Sequence, residues 1–323
     1  MREDVLVRPP RAGCGAAYTY RALAGAVWSG TSQTMQYTAI RRLLAFTLIS
    51  TSATFALTGS AAAEGAASPW VEGFNNKARL VVGEAHLPGQ KDGLFGALEI
   101  VMPDGWKTYW RAPGDAGGIP PEFDFSASEN AAEIRVLYPA PHRMVDKTGT
   151  TIGYKDRAFF PFAVTAKDPA QPVHLKLNAT YGICKELCVP AEAAFDMVIP
   201  PDMGSSEVIE AALQSVPRLV PIQGTDPVVS KWRVEMRDAK PILIIEAEDP
   251  AGASDSGPGS DAFVDSSNGT YLPLPKKISD ANGRALFDVD LTDGAEMKDL
   301  AGKPISITLV GRKGQSETTI TLP

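Results

Sequence analysis

Short apolar runs of strand type, separated by glycine, proline and aspartate, are the feature of this sequence that most restricts its fold. Six such runs lie between Trp70 and Pro201, at 78–85, 94–102, 132–138, 158–166, 173–181 and 191–199. Turn signals such as Pro103-Asp104-Gly105, 115–121 and 147–149 fall between them. Long helical periodicity is missing from this region, and regular short strands with such turns are typical of a β-sandwich.

The second half of the chain repeats this pattern after one helix. An apolar stripe predicts a helix over 202–216, with Ser205 or Ser206 as its N-cap and Pro217 at its end. Strand-type runs then follow at 231–237, 241–248, 284–291, 304–312 and 316–322. The stretch 249–261 is rich in Gly, Ser and Asp, which predicts a mobile loop. We therefore predict an all-β protein with two immunoglobulin-like β-sandwich domains, 64–201 and 222–323, joined by a short helical linker, 202–221.

The first 63 residues predict export. Arg41 and Arg42 precede an apolar stretch over 43–57, and Ala61-Ala62-Ala63 supplies the small residues of a cleavage site, so 35–63 is interpreted as a signal peptide ending near Ala63. Residues 1–34 have the character of neither a signal nor a domain, and we expect them to be either disordered or not translated, with Met35 as the start. Cys14 is then absent from the mature protein, which leaves one cysteine pair.

Charge and motifs narrow the classes of function. A formal net charge of -7 provides no basic excess for binding phosphates, which argues against nucleic acid as a partner. The sequence contains no Walker loop, no dinucleotide-binding glycine motif, no His-Glu-x-x-His and no Gly-x-Ser-x-Gly. We predict no cofactor and, apart from an alternative interpretation of the cysteine pair given below, no metal site.

The cysteine pair, Cys184 and Cys188, is the strongest chemical signal. Residues four apart in an extended strand lie about 13 Å from each other at ~3.3 Å per residue, whereas disulfide-bonded Cα atoms lie within about 7 Å. If the pair is bonded, 184–188 must form a turn or the tip of a hairpin, and the flanking Gly182 and Pro190 favour such a bend.

Three interpretations of this pair remain open. Closing so short a loop stabilises a fold by only about 2 kcal/mol, against about 4.7 kcal/mol for a loop of a hundred residues, which favours thiol–disulfide exchange over a purely structural bond. A static disulfide in a binding or scaffold protein is the alternative. Binding of a soft ion such as Cu(I) is the third interpretation. The neighbour Lys185 would lower the pKa of a nearby thiol and Glu186 would raise it, so these charges do not decide between the three interpretations.

A resemblance to a known family adds to this reasoning. The segment from Asp104 to Gly117 reads DGWKTYWRAPGDAG. It resembles the GW-x-TYW-x-x-PGD-x-G stretch of the N-terminal periplasmic domain family of the disulfide reductase DsbD, especially its copper-tolerance branch, the ScsB-like proteins. The segments 138–141 and 153–154, and then 182–190 with both cysteines, follow in the order that this family shows.

The resemblance implies an immunoglobulin-like periplasmic domain in which Cys184 and Cys188 form the redox pair. Its partners would be a membrane-embedded or thioredoxin-like electron donor and a periplasmic client protein. The sequence after Pro201 contains neither an apolar membrane segment nor a Cys-x-x-Cys motif, so we expect the donor to be a separate protein.

The family also shields its pair with a cap loop that bears aromatic residues. Tyr154 is the residue that we assign to this cap, with Tyr181 as a supporting residue. Trp106, Tyr109 and Trp110 are interpreted as core aromatics. His142 and Asp146 are either neighbours of the cysteines or solvated loop residues.

Overall fold

Strands dominate the structure, as the sequence predicts. The computed structural model describes residues 65–86, 93–147, 149–253, 259–266, 269–292 and 297–323. The predicted signal peptide, Met35 and Cys14 lie outside the described residues. The first twelve strands are β1 (Ala66–Ala67), β2 (Val71–Gly73), β3 (Asn76–Ala85), β4 (Gly93–Val101), β5 (Lys107–Tyr109), β6 (Glu122–Asp124), β7 (Ala131–Val136), β8 (His142–Asp146), β9 (Gly149–Lys155), β10 (Arg157–Ala166), β11 (Val173–Cys184) and β12 (Cys188–Ile199).

A helix, α1 (Glu207–Gln214), separates these strands from the rest, and a short helix, α2 (Met297–Leu300), lies near the C-terminus. The remaining strands are β13 (Val228–Arg237), β14 (Lys240–Glu248), β15 (Asp261–Ser266), β16 (Lys276–Ala281), β17 (Arg284–Asp290), β18 (Pro304–Val310) and β19 (Gln315–Thr321). The all-β class and all eleven predicted runs are confirmed as strands.

Two six-stranded sheets enclose the first core. One has the order β1-β3-β4-β10-β7 with β2 beside β3, and the other has the order β12-β11-β5-β9-β8 with β6 beside β11. Alternate residues of β11, from Val173 to Ile183, point into this core. They meet Leu80 and Leu98 of the facing sheet, as the period of two in a strand requires. We call these two sheets the first sandwich.

The helix α1 packs on the outer face of the first of these sheets. Ile209 and Leu213 contact Val81 and Phe95 there, so this sheet is buried on both faces. The side chain of Ser206 caps the helix by accepting a hydrogen bond from the amide of Ile209, which confirms one of the two predicted caps. The helix therefore stabilises the first sandwich, beyond connecting two segments.

A four-stranded sheet, β13-β14-β17-β16, and a three-stranded sheet, β15-β18-β19, enclose the second core. We call this pair the second sandwich. Its Phe263 packs into the core of the first sandwich and meets Trp110 edge to face, with ring centroids 5.9 Å apart. All of these elements belong to one compact unit, Gly59–Pro323.

The predicted loop 249–261 differs from expectation at both of its ends. Asp249 and Ser260 are buried, and the Asp249 carboxylate accepts hydrogen bonds from the Ser260 hydroxyl and the amides of Ala251 and Arg312. A polar side chain can be buried when its hydrogen bonds are satisfied, which composition alone did not reveal. Residues 254–258 lie outside the described residues.

Candidate redox site

The disulfide Cys184–Cys188 closes the tip of the β11–β12 hairpin. These strands are paired from Val173 opposite Ile199 to Cys184 opposite Cys188, and only three residues connect them. The sulfur atoms are 2.02 Å apart and the Cα atoms 4.3 Å apart. The turn that the spacing required is confirmed.

The two sulfur-bearing residues differ in their access to solvent. Cys184 is only 3% exposed, whereas Cys188 is exposed, as are Lys185, Glu186 and Leu187 between them. A second molecule can therefore approach the bond from the Cys188 side. While the cysteines are bonded to each other, neither offers a thiolate to a metal ion.

Tyr109 is in direct contact with the disulfide. Its hydroxyl oxygen lies 2.7 Å from the Sγ of Cys188, although the residue as a whole is only 1% exposed. Burial, and then the negative charge of Asp146, raise the pKa of Tyr109 above its ordinary value. The phenol is therefore protonated at neutral pH and can donate a hydrogen bond to sulfur.

Two glycines make room for the Tyr109 ring. A Cβ atom added at Gly118 would lie 2.2 Å from Cε1 of the ring, and one added at Gly182 would lie 2.8 Å from Cε2. Both distances are far below van der Waals contact, so the ring occupies space that any larger residue would fill. The local sequence thus fixes the phenol beside Cys188.

An ion pair between a buried lysine and an exposed carboxylate lies beside this contact. Lys107 is the cross-strand partner of Cys184 and is only 8% exposed. Its Nζ is 2.8 Å from Oδ2 of Asp146 and 3.0 Å from the hydroxyl of Thr151. A buried ammonium requires such a partner, and here Asp146 of β8 supplies it. Asp146 thus lies at the site, while the other sequence candidate, His142, is exposed on β8 opposite Gly153.

The predicted cap residue Tyr154 lies in the hydrophobic core. Its ring packs edge to face on Phe160 at 5.3 Å, and its hydroxyl donates to the carbonyl of Pro139 at 2.9 Å. Complete burial raises its pKa well above the ordinary value. None of these contacts reaches the cysteines, and a role for Tyr154 as a cap stays a prediction.

The predicted supporting residue Tyr181 precedes Cys184 by three positions on β11. Its hydroxyl donates to Oδ1 of Asn76 at 2.9 Å, which ties β11 to the start of β3 in the facing sheet. Burial raises the pKa of Tyr181 to about 12. This bond anchors the hairpin that carries the disulfide.

Aromatic and aliphatic side chains are exposed near this end of the first sandwich. Leu187 is exposed within the disulfide loop, and Lys185 approaches Gly105. Trp106, which follows Gly105, meets the exposed Phe74 edge to face at 5.9 Å. Leu187, which precedes Cys188, gives the surface beside the disulfide an apolar component.

Sequence reasoning missed the contacts of Lys107 and Tyr109. Tyr109 and Trp110 are buried, as predicted for core aromatics, but Tyr109 also reaches the sulfur of Cys188. The alternation in Lys107-Thr108-Tyr109 was an available signal, since residues two apart in a strand share a face. Nothing in the sequence showed that this face meets the cysteine hairpin.

The fold and the site define a class of protein: an all-β protein with a disulfide at a hairpin tip, in which one cysteine is buried and the other is exposed and in contact with a phenol. Residues 77–200 match the family model described as "Thiol:disulfide interchange protein DsbD, N-terminal". The expected resemblance to that family is confirmed over these residues, and members of the family are thiol–disulfide exchange modules.

One solved structure with the same fold is the N-terminal periplasmic domain of ScsB from Proteus mirabilis. The two chains are 17% identical, with a TM-score of 0.58, and the match covers 80% of this chain and 99% of that one. The shared fold thus extends over most of both sandwiches. No curated protein sequence matches this chain. Among the described residues, no helix is long and apolar enough to cross a membrane.

Proposed function

We propose that this chain is a periplasmic thiol–disulfide exchange module that passes electrons through Cys184 and Cys188. The observation that carries the proposal is the exposed residue Cys188 at a hairpin tip, whose sulfur is in contact with the hydroxyl of Tyr109. A purely structural bond requires neither an accessible sulfur nor a hydrogen-bond donor beside it. Strained or exposed disulfides are the ones that exchange readily.

Exchange begins at the sulfur that a partner can reach. A thiolate of a dithiol donor attacks Sγ of Cys188, the bond to Cys184 breaks, and Cys184 leaves as a thiolate that takes up a proton. The second thiol of the donor, after losing its proton, attacks the mixed disulfide and releases Cys188 as a thiolate. The donor is now oxidised, and the pair has gained two electrons and one proton, which is on Cys184, while Cys188 is a thiolate.

The reduced pair then acts on a client. The Cys188 thiolate attacks the client disulfide and forms a second mixed disulfide, which Cys184 resolves, so that the client is reduced and the Cys184–Cys188 bond returns. The Tyr109 hydroxyl donates to the thiolate of Cys188 in the reduced state, and hydrogen bonds to charged groups are the stronger kind. Cys188 is thus the residue that reacts with other proteins, and Cys184 is the resolving one.

The partners follow from the family. We assign the donor to a membrane-embedded or thioredoxin-like protein and the acceptor to a periplasmic client with a disulfide. The exposed Leu187 and Phe74 are suited to contact with such proteins, because interfaces are enriched in large apolar side chains at their centres. Location in the periplasm is supported by the name of the ScsB domain and by the signal peptide predicted at 35–63.

We also propose two immunoglobulin-like domains, 64–201 and 222–323. The separate hydrophobic cores of the first and second sandwiches support this division. In the segment 202–221, α1 is packed on the first sandwich, and Arg218 after the helix is hydrogen-bonded through its backbone to Gln315 and Glu317 of the second.

A measurement of the reduction potential of the Cys184–Cys188 pair tests the proposed function. The mature protein is equilibrated with glutathione or dithiothreitol buffers, and free thiols are trapped and counted by mass. We expect a potential in the range of exchange proteins, about -120 to -270 mV, and rapid equilibration. A potential below about -300 mV with slow reduction would mark a static disulfide and would replace this proposal with that of a binding or scaffold protein.

A further inference from the structure

The β8–β9 hairpin lies at the edge of its sheet. In the order β12-β11-β5-β9-β8, β8 is the last strand, and within the described residues it is paired with β9 alone. One side of β8 therefore has no ladder of backbone hydrogen bonds. Terminal strands of this kind open more easily than central ones unless something else holds them.

The second sandwich holds β8 through Arg143. The guanidinium forms two hydrogen bonds with the carboxylate of Asp261, both at 3.0 Å. It also donates to the carbonyl oxygens of Ala262, at 3.2 Å, and Pro275, at 3.3 Å, and it lies over the ring of Phe263. The planar guanidinium fits a carboxylate in this two-pronged way, which fixes orientation as well as distance.

The other end of β8 reaches the redox site. Asp146 is three residues from Arg143, or about 10 Å along a strand. Its carboxylate forms the ion pair with Lys107, which is the cross-strand partner of Cys184. Tyr109, two residues further along β5, contacts Cys188. One short strand thus connects the second sandwich to the groups around the disulfide.

We propose that Arg143 is a positioning residue through which the second sandwich holds the β8–β9 hairpin, and with it Asp146, beside Lys107 and the disulfide. The second sandwich then has a role in the reaction without touching sulfur. The effect on thiol–disulfide exchange rests on the proposed function. The attachment of the β8–β9 hairpin to the second sandwich through Arg143 does not.

Loss of the contact between Arg143 and Asp261, which we call the clamp, has a defined consequence. The outer strand loses its attachment, the hairpin opens more often, and Asp146 spends less time beside Lys107. The negative charge near Cys188 is then reduced while the ammonium of Lys107 remains. A more positive surrounding favours both attack by an anionic thiolate and departure of a thiolate, so the disulfide is reduced faster.

The test compares Arg143→Ala and Asp261→Ala with the wild type in the full mature chain. Asp261 lies in the second sandwich and touches the hairpin through Arg143, so it probes the link from the far side. Arg237→Ala is the matched control, because Arg237 pairs with Asp288 within the second sandwich alone. Amide hydrogen exchange of peptides covering 142–155 and the rate of reduction by dithiothreitol are measured, with thermal unfolding recorded for each variant.

In both test variants we expect the rate of amide hydrogen exchange in 142–155 to rise about tenfold and the reduction of the disulfide by dithiothreitol to become about threefold faster. Both variants should show both effects, as for residues coupled in one network. The double variant should add little to either single one, and Arg237→Ala should match the wild type. If neither variant changes both quantities, or only Arg143→Ala does, the link to the second sandwich is refuted. If Arg143→Ala unfolds, Asp261→Ala still decides, because it probes the link from the second sandwich. A wild-type potential below about -300 mV would end the exchange proposal, while the hydrogen-exchange comparison would still test the clamp.

Discussion

The hydroxyl oxygen of Tyr109 lies 2.7 Å from the sulfur of Cys188, so a buried phenol touches the exposed end of the disulfide. Cys188 faces solvent on one side and this donor on the other. In the reduced protein the same hydroxyl can donate to the Cys188 thiolate. The contact joins the strand β5 to the hairpin tip and places a protonated donor where negative charge forms.

Tyr109→Phe should therefore lower the reactivity of Cys188. The variant keeps the ring but removes the donor, and a hydrogen bond to a charged group contributes about 1.5 to 3 kcal/mol. We expect alkylation of reduced Cys188 by iodoacetamide at neutral pH to slow about tenfold, because less thiolate is present. The measurement is the alkylation rate, followed by mass spectrometry.

Tyr138→Phe is a suitable control for this prediction. Tyr138 is a neighbouring tyrosine whose hydroxyl donates to the carbonyl of Pro121, away from the cysteines. Reduced Cys188 of the Tyr138→Phe variant should be alkylated at the rate of the wild type. Equal rates for Tyr109→Phe and the wild type would show that the contact with sulfur has no effect on the thiolate.

Serine variants of the two cysteines should behave differently from each other. Cys184→Ser leaves the exposed thiol at position 188 without its resolving partner, so it should accumulate a stable mixed disulfide with oxidised glutathione. Cys188→Ser leaves only the buried Cys184 and should form this adduct at least about tenfold more slowly, since reaction requires access. The adduct is counted by intact mass. Equal rates for the two variants would contradict the assignment of Cys188 as the reacting residue.

Gly182→Ala should disturb the site through the Tyr109 ring. The added methyl group would lie 2.8 Å from the ring and 2.9 Å from the carbonyl oxygen of Ile119. Overpacking of this kind costs about 1 to 3 kcal/mol of unfolding free energy. We expect that loss in urea unfolding, together with slower alkylation of reduced Cys188.

Gly93→Ala is the matched control for the glycine substitution. Among the described residues, a Cβ atom at Gly93 would meet only the Phe95 ring, at 3.9 Å, which is ordinary contact. This variant should unfold at the urea concentration of the wild type. Gly182→Ala could instead unfold at the urea concentration of the wild type and keep the wild-type alkylation rate of reduced Cys188. The Tyr109 ring would then be free to move, and the conclusion that the two glycines fix it beside Cys188 would be wrong.

The strands were predictable because their signal is local. Val173, Leu175 and Leu177 alternate with polar residues along β11, and this period of two already selects the buried face. The hairpin tip was equally predictable, since Cys184 and Cys188 can be bonded only if the chain turns between them. Ser206 was one of two caps that the sequence offered.

The site itself depends on pairings between distant segments. Lys107 meets Asp146 after 39 positions, and Tyr109 meets Cys188 after 79, and no local pattern encodes such contacts. The family resemblance assigned Tyr154 to a cap, which stays a prediction, and no local pattern showed that its hydroxyl donates to Pro139 within the core. Which surface an aromatic residue faces is decided by strand order, which the sequence pattern left open.

The buried tyrosines predict how stability responds to alkaline pH. Burial raises the pKa of Tyr181 to about 12 and that of Tyr154 well above its ordinary value. Above about pH 10 the unfolded chain releases these protons while the folded protein retains them. Their contribution to stability is therefore complete below pH 10 and is lost as the pH rises toward the folded pKa. The free energy of unfolding should fall by about 1.4 kcal/mol per pH unit for each such tyrosine.

Urea unfolding between pH 8 and 11, with tyrosinate absorbance as a second signal, tests this expectation. Tyr154→Phe removes one of the protons concerned, so its stability should fall less steeply above pH 10 than that of the wild type, although its loss of the Pro139 hydrogen bond lowers stability by about 1 kcal/mol at neutral pH. Identical slopes for the two proteins would mean that Tyr154 ionises equally well in the folded and unfolded chains. Its hydroxyl would then be open to solvent, as a cap residue over the disulfide requires and as a core residue does not allow.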